Sequence, residues 1–308
     1  MVAARRYYHK AVSLLRHRLG KTDQPYATHG FAATVMFSCY EMLDATGLDW
    51  QRHLNGVFTY GRLRNINGSC GGIEQAGFWS IARQEVVCSI INRTRLRLDP
   101  DLWGIDLENI GQEGSEDLIN NQVLTILAKV VDFTATLDTA FERDKQAVTE
   151  RWQNLTQLLD HWERSVQDFM GPVCAYRKTG EVFSTIWFPH GVCANSWQMF
   201  HLARILLLTT NPRQGRNCMM AYRTVEFEVL CHARRICGIA QSKPHGSSRV
   251  NSVQPIYFAG CCFSETEERI QTARLLNDIE DDLGWAAKYR ARDLYDQWGW
   301  SYPPAASV

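Results

Sequence analysis

One stretch, residues 78–99, constrains the fold more than any other part of the chain. Apolar residues in its first half recur at steps of three and four, which predicts one stripe on a helix: Phe78, Ile81, Ala82, Val86 and Ile90. Arg83 and Gln84 interrupt this stripe beside the aromatic pair Phe78 and Trp79. A core-facing helix carries such side chains only where their hydrogen bonds are used. We therefore predict a packed helix that Arg83 and Gln84 organise locally through buried hydrogen bonds.

The second half of the stretch is basic and extended. Arg93, Arg95 and Arg97 alternate with uncharged residues, and Asp99 before Pro100 ends the run. Three arginines could touch phosphate, but the aspartates that follow weaken such a patch. Contact with a partner or plain solubility is the favoured interpretation. The stretch contains no nucleophile motif, no metal-ligand spacing and no glycine loop, so it predicts no catalytic site.

The charge balance limits the classes of function. The chain has 308 residues, 45% hydrophobic and 21% charged, which is typical of a globular protein. Lys plus Arg and Asp plus Glu both number 33, so the formal net charge is zero. Because nucleic-acid-binding domains usually carry a basic excess, the bulk of this chain is not expected to contact DNA. No apolar run approaches the length of a membrane span.

The ten cysteines give no metal motif by spacing. No C-x-x-C occurs, so neither a zinc ribbon nor a binuclear zinc cluster can be built locally. Cys39, Cys88 and Cys231 lie in apolar helical contexts and are interpreted as small buried hydrophobes. Cys174 and Cys193 lack the local signature of a nucleophile. We predict structural cysteines in a reduced compartment, with no metal, cofactor or catalytic residue in this chain.

Helical periodicity dominates the chain and predicts an all-α protein, an irregular multi-helix bundle or array. A capping box of Ser264 and Glu267 is expected to start the last long helix. Residues 67–72, 103–114 and 242–251 are predicted loops. Helices are predicted, in chain order, over residues 1–20, 31–43, 56–60, 78–91, 123–137, 152–169, 196–208, 217–240 and 264–289.

Several strings together resemble the fungal-specific transcription factor domain. The first is the aromatic-Trp pair, Arg-Gln, apolar helix and Arg-Leu-x-Leu-Asp of residues 78–99. The second is Asp-Trp-x-x-His-Leu-x-Gly at residues 49–56. The third, Pro-x-x-x-Ala-Gly-Cys at residues 255–261 followed by an acidic helix start, is the most specific. Trp298-Gly299-Trp300 is a usual ending, so the resemblance covers about residues 25–302 in the expected order.

The resemblance implies a nuclear regulator of transcription whose helical body governs a DNA-binding module. It implies that residues 1–24 form a helical extension, that residues 25–302 form the regulatory domain and that residues 303–308 form a tail. Phe78, Trp79, Arg83 and Gln84 would then be structural signature residues. Expected partners are other transcription proteins, a second copy of the chain or a small-molecule effector, and no membrane. Zinc would belong to an upstream zinc cluster that this chain lacks, which argues against direct DNA binding; whether Met1 is the true start stays open.

Two other classes of function stay open. One is an all-α enzyme acting on an apolar substrate in a helix-bundle cavity; the other is a purely structural interaction module. Residues 277–282 place Asp278 and Asp282 on one helix face, where they could clasp magnesium. A terpene-synthase pattern would need serine and glutamate where the chain has Asp281 and Trp285, so a solvated acidic face is favoured. His201, on an apolar helix, is interpreted as a hydrogen-bonded core histidine.

Overall fold

The computed structural model describes residues 2–19, 27–44, 56, 58, 65–111, 114–141, 144–212 and 219–302. Helices dominate these residues, which confirms the all-α class. The helices are α1 Val2–Leu19, α2 Ala27–Asp44, α3 Gly72–Asn92, α4 Glu116–Phe141, α5 Lys145–Met170, α6 Gly191–Thr209, α7 Met219–Gln241, α8 Gly246–Asn251, α9 Val253–Cys262, α10 Thr266–Leu283 and α11 Lys288–Gln297. None of these described helices combines the length and apolar character needed to cross a membrane. Apart from residues 56 and 58, the predicted helix at 56–60 falls outside the described residues, as does most of the 49–56 motif.

The chain forms two compact units. The first comprises Met1–Asn92 with Leu96–Ile105, and the second comprises Arg93–Arg95 with Asp106–Val308. This division follows compactness and differs from the boundaries at residues 25 and 302, which stay predictions. We describe each unit by itself.

In the first unit, α2 packs on α3 around a glycine. A Cβ added to Gly77 would lie 2.6 Å from the ring of Phe31 and 3.5 Å from a methyl group of Val35. The absence of that atom allows the two helices to approach closely. Helix α3 begins several residues before the predicted start, and it buries the residues of the predicted apolar stripe.

Two segments predicted as loops are held in place by tryptophans. Trp103 is 1% exposed, although it lies in the predicted loop at residues 103–114. The Gly68 amide donates to the Trp103 carbonyl at 2.8 Å, and the Trp79 indole N–H donates to the Gly68 carbonyl at 3.1 Å. A Cβ on Gly68 would lie 2.3 Å from the Trp79 ring, so only glycine fits there. The predicted loop at residues 67–72 is therefore fixed to its surroundings at Gly68.

The core of the second unit is built around α6, which packs against both α4 and α7. Trp197 and Phe200 of α6 meet Trp162 of α5 at ring-centroid distances of 5.4 and 5.5 Å. The helix predicted over residues 152–169 ends one residue later, at Met170, which is fully buried, whereas Phe169 is 51% exposed. The Met170 carbonyl accepts the indole N–H of Trp197 at 2.8 Å, which fixes this end of α5 against α6.

The C-terminal region contains two helices where one was predicted. Gly284 adopts a left-handed φ of 69°, and its amide closes α10 by donating to the Glu280 carbonyl at 2.8 Å. The Glu280 carboxylate then accepts the amides of Ala287 and Lys288, both at 2.8 Å, at the start of α11. The predicted capping box is also wrong: the N-cap of α10 is Glu265, without a side-chain capping bond.

A small antiparallel hairpin is the main element that the helical periodicity did not predict. Strand β1, Cys174–Tyr176, pairs with strand β2, Thr185–Trp187, with Ala175 opposite Ile186. Strands of three residues are too short to show an alternating pattern. The hairpin nevertheless matters, because it forms one wall of a groove.

Candidate functional site

An open groove of about 1050 Å³ lies beside the hairpin of the second unit. The hairpin and its turn form one wall, and α7 and the start of α10 form the others. Its charged lining residues are Arg177, Lys178, Glu181, Arg234, Arg235, Glu265, Glu267 and Glu268. The groove could not be predicted from the sequence, because its walls come from three segments far apart in the chain.

The hairpin is anchored directly on α7. A Cβ added to Gly238 would lie 2.2 Å from the Ser184 carbonyl oxygen, so β2 approaches α7 only because this residue is glycine. The Gln241 amide donates to the Phe183 carbonyl at 3.2 Å and to the Thr185 hydroxyl at 2.9 Å. These contacts hold the groove wall in one position.

The groove carries both signs of charge. The Arg234 guanidinium donates to the Glu268 carboxylate at 2.7 Å, and this hydrogen bond raises the pKa of Arg234. On the hairpin turn, the Arg177 guanidinium donates to the Glu181 carbonyl at 2.8 Å, and the Lys178 amide donates to the Glu181 carboxylate at 3.1 Å. An open surface that carries both cations and carboxylates suits a polar ligand or peptide with complementary charges.

The close contact at Gly238 gives a testable prediction. We expect Gly238→Ala to destabilise the second unit by about 1–3 kcal/mol, because the new methyl group must push the Ser184 backbone away from α7. The matched control is Gly246→Ala, whose Cβ would meet only Leu283 at an ordinary 3.7 Å. Urea denaturation midpoints measure both variants. Equal midpoints for the two variants would show that the contact is not tight.

The aromatic signature residues lie in the core of the first unit. Phe78 and Trp79 are each 5% exposed. Both meet Trp103 in edge-on geometry, at centroid distances of 5.9 and 6.0 Å. Edge-to-face packing of this kind stabilises aromatic clusters beyond the area that they bury. The position of both residues is that of packing residues.

The polar signature residues differ from one another. Gln84 is buried; its side-chain oxygen accepts the Ser38 hydroxyl, and its nitrogen donates to the Cys39 sulfur at 3.3 Å. Arg83 is half-buried. The structure therefore gives Gln84 buried hydrogen bonds between α2 and α3, as expected from its place in an apolar stripe.

Removal of the Gln84 amide should be costly. We expect Gln84→Ala to lower the free energy of unfolding by about 1–3 kcal/mol, because the buried Ser38 hydroxyl loses its acceptor. In a double-mutant cycle, Ser38→Ala should recover part of this loss. Strictly additive losses, measured by chemical denaturation, would contradict the role of this hydrogen bond.

Arg97 binds a fully buried carboxylate. The Glu85 side chain has no exposed surface, and its Oε2 accepts from Nη2 and Nε of Arg97 at 2.7 and 3.1 Å. The Arg97 amide also donates to Glu85. The guanidinium lies 4.5 Å from the ring centroid of Phe58. Arg97 therefore has an internal role, which differs from the predicted partner contact or solubility.

Arg95 binds a carboxylate in the second unit. Its Nε and Nη2 each donate to Asp132 at 3.1 Å, and Arg151 donates to the same carboxylate at 3.2 Å. Asp132 is 4% exposed, whereas two thirds of the Arg95 side chain is exposed. Two of the three arginines of the basic segment thus neutralise buried acids.

The aspartates of the acidic run at residues 277–282 form ion pairs with neighbouring lysine and arginine side chains. Asp282 accepts from Lys243 at 3.0 Å and from Arg249 at 2.8 Å, and these bonds lower the pKa of Asp282. Asp281 pairs with Lys288. The carboxylates of Asp278, Asp281 and Asp282 are between 42% and 59% exposed, as a solvated face requires. These carboxylates therefore do not form a pair that converges on a cavity to hold a metal ion.

Two histidines meet inside the second unit. His201 is 2% exposed, and its Nδ1 lies 2.9 Å from Nδ1 of His232. Burial lowers the pKa of His201 well below its usual value and that of His232 to about 4, with further lowering by Arg204 and Arg235. Both rings are therefore neutral at pH 7. His201 occupies the position of a hydrogen-bonded core histidine.

A second cluster was not predicted from spacing alone. Glu116, His190 and Cys193 come together at the starts of α4 and α6. The signal in the sequence is the His-x-x-Cys spacing of residues 190–193, which differs from the C-x-x-C and His-x-x-x-His spacings of common metal motifs. Glu116 lies 74 residues before His190, so its contribution could not be seen.

The comparisons with known proteins agree with the resemblance. The model of the family described as fungal specific transcription factor domain matches residues 1–294, which includes residues 1–24. Transcription activator AMTR1 of Alternaria alternata is 29% identical over 350 aligned residues, which cover 92% of this chain and 46% of that protein. The chain thus spans less than half the length of this curated relative, and no solved structure matches it. The chain belongs to the fungal specific transcription factor domain family.

Proposed function

We propose that this chain is the regulatory domain of a fungal transcription regulator and acts in the nucleus. The family match over residues 1–294 carries the proposal. The name of the relative, a transcription activator, supports it. Because the chain spans 46% of that relative, any DNA-binding activity of the whole relative is not assigned to these residues.

The proposed mode of action is contact with other proteins. The chain has a net charge of zero and no C-x-x-C, so it lacks both the basic excess and the local zinc motif of a DNA-contacting module. The groove beside the hairpin supports a protein partner, because it is open and charged with both signs. We propose that it binds a partner segment that carries both acidic and basic side chains.

Transcriptional activity can be tested with a fusion. The chain is joined to an unrelated DNA-binding domain, and a reporter with the matching site is measured in a fungal host. A reporter level that rises or falls at least several-fold, relative to the DNA-binding domain alone, supports the proposal. An unchanged level with the fusion present in the nucleus contradicts it.

The role of the groove needs its own variant. Arg177→Glu combined with Lys178→Glu reverses the charge of the hairpin wall, and Arg164→Glu changes an exposed charge on α5, outside the groove lining. We expect the double variant to abolish the reporter effect and the control to retain it. If both behave like the wild type while the fusion remains active, another surface contacts the partner.

The enzyme alternative has no support from the described residues. Its strongest feature was the carboxylate run at residues 277–282, and the carboxylates of Asp278, Asp281 and Asp282 bind Lys243, Arg249 and Lys288. The buried histidines are paired with each other. We therefore propose that the domain is not a catalyst.

A further inference from the structure

We propose that Glu116, His190 and Cys193 form a binding site for a zinc-type divalent metal ion, with a fourth coordination position open to solvent. One carboxylate oxygen, one imidazole nitrogen and the thiol sulfur lie within 4.8 Å of one another. Zinc is bound in proteins by these three ligand types, and three protein ligands with one open position are a common arrangement. This inference is independent of the proposed transcriptional function.

The positions of the three residues follow from the starts of two helices. His190 is the N-cap of α6 and Cys193 lies in its first turn, so their side chains share one face. Glu116 is the first residue of α4. Its carboxylate lies 2.7 Å from Nδ1 of His190, and the Cys193 sulfur lies within 4.8 Å of both groups. The three ligand atoms are therefore already close together.

A second layer of hydrogen bonds holds the two helix starts in register. Asn120, one turn after Glu116, accepts from the Asn195 amide at 2.8 Å and from the Ser196 hydroxyl at 3.1 Å. All three are buried. These bonds join the starts of the two helices that carry the three residues, so the fold fixes the backbone positions of Glu116, His190 and Cys193 relative to one another.

Burial and charge also fit a metal site with an accessible side. Cys193 is 1% exposed, while the side chains of Glu116 and His190 are 36% and 63% exposed. An ion can therefore enter on the histidine side. A bound cation would replace the thiol proton, which leaves to solvent, and neutralise the thiolate and carboxylate together.

Metal titration of the purified chain tests the inference. The chain is treated with a chelator, and Zn²⁺ binding is measured by calorimetry and Co²⁺ binding by absorption. We expect one ion per chain and a thiolate-to-cobalt charge-transfer band. Cys193→Ser should abolish the band and weaken zinc binding at least about 100-fold, since second-layer changes alone cost 10–100-fold.

The controls separate loss of a ligand from loss of folding. Cys237→Ser alters another buried thiol of the same unit, 3.7 Å from the Thr272 hydroxyl, and should retain the band. His190→Ala removes a mostly exposed ligand and should weaken zinc binding without changing the metal-free circular dichroism spectrum. Wild-type protein without a stoichiometric ion, or a Cys193→Ser variant that binds as tightly, would show that the cluster is only hydrogen-bonded.

Discussion

Arg97→Ala should destabilise the first unit by about 3–5 kcal/mol, because it leaves the fully buried Glu85 carboxylate without its cation. The loss includes two guanidinium hydrogen bonds and the stacking of the guanidinium on Phe58. The Arg97 amide still donates to Glu85, but one backbone dipole does not neutralise a charge. Denaturation followed by tryptophan fluorescence, with Trp79 and Trp103 in this unit, measures the effect.

A graded control comes from the same basic segment. Arg95→Ala also removes a cation from a buried carboxylate, but Asp132 keeps Arg151 at 3.2 Å. Because the Arg95 side chain is 67% exposed, its loss should cost about 1 kcal/mol or less. A double substitution of Arg97→Met and Glu85→Leu should recover much of the stability, since it removes the unpaired charge. Equal, small losses for Arg97→Ala and Arg95→Ala would contradict the buried pair.

The sequence predicted most helices because their apolar residues repeat over many turns. The periodic residues of α4, α5 and α6 predicted these helices, although each extends beyond the predicted range. The family resemblance and the all-α class are both confirmed. Both could be predicted because they depend on patterns within short stretches of sequence. Ends of elements were less predictable, as the misplaced capping box at Ser264 shows, because tertiary contacts decide where a helix begins.

Features that depend on distant residues could not be predicted in this way. In the sequence, Glu85 is an ordinary charged residue of α3. Only the folded structure shows that the Arg97 guanidinium neutralises its carboxylate. The groove wall likewise depends on Gly238, whose small size matters only because Ser184 packs against it. Spacing along the chain carries no information about such pairs, so only the folded structure shows the candidate site.

The His201–His232 pair should make the second unit sensitive to mild acid. The pKa of His232 is about 4 in the folded chain, against an ordinary value of 6.5, chiefly because the ring is buried. The pKa of His201 is lowered in the same direction. Between these pH values the unfolded chain binds more protons than the folded chain, so stability rises with pH and is lost as pH falls. His232 alone should cost about 2 kcal/mol between pH 7 and pH 5.

The geometry of the two rings explains why the second unit loses stability when the pH falls. One ring must donate and the other accept across the 2.9 Å between the two Nδ1 atoms, so a second proton would break the hydrogen bond. Arg204 and Arg235 oppose a positive charge on either ring, although Asp160 and Glu163 bind Arg204 on its other side.

The variant His232→Asn should lose less stability than the wild type between pH 7 and pH 5, because it removes one of the two buried groups that take up protons on unfolding. The control is His161→Gln, which changes a half-buried histidine of α5 outside the pair. Denaturation midpoints at half-unit steps of pH provide the comparison. A wild-type midpoint that does not change down to pH 5 would mean that the folded chain accepts the protons, and that the pair opens without unfolding the domain.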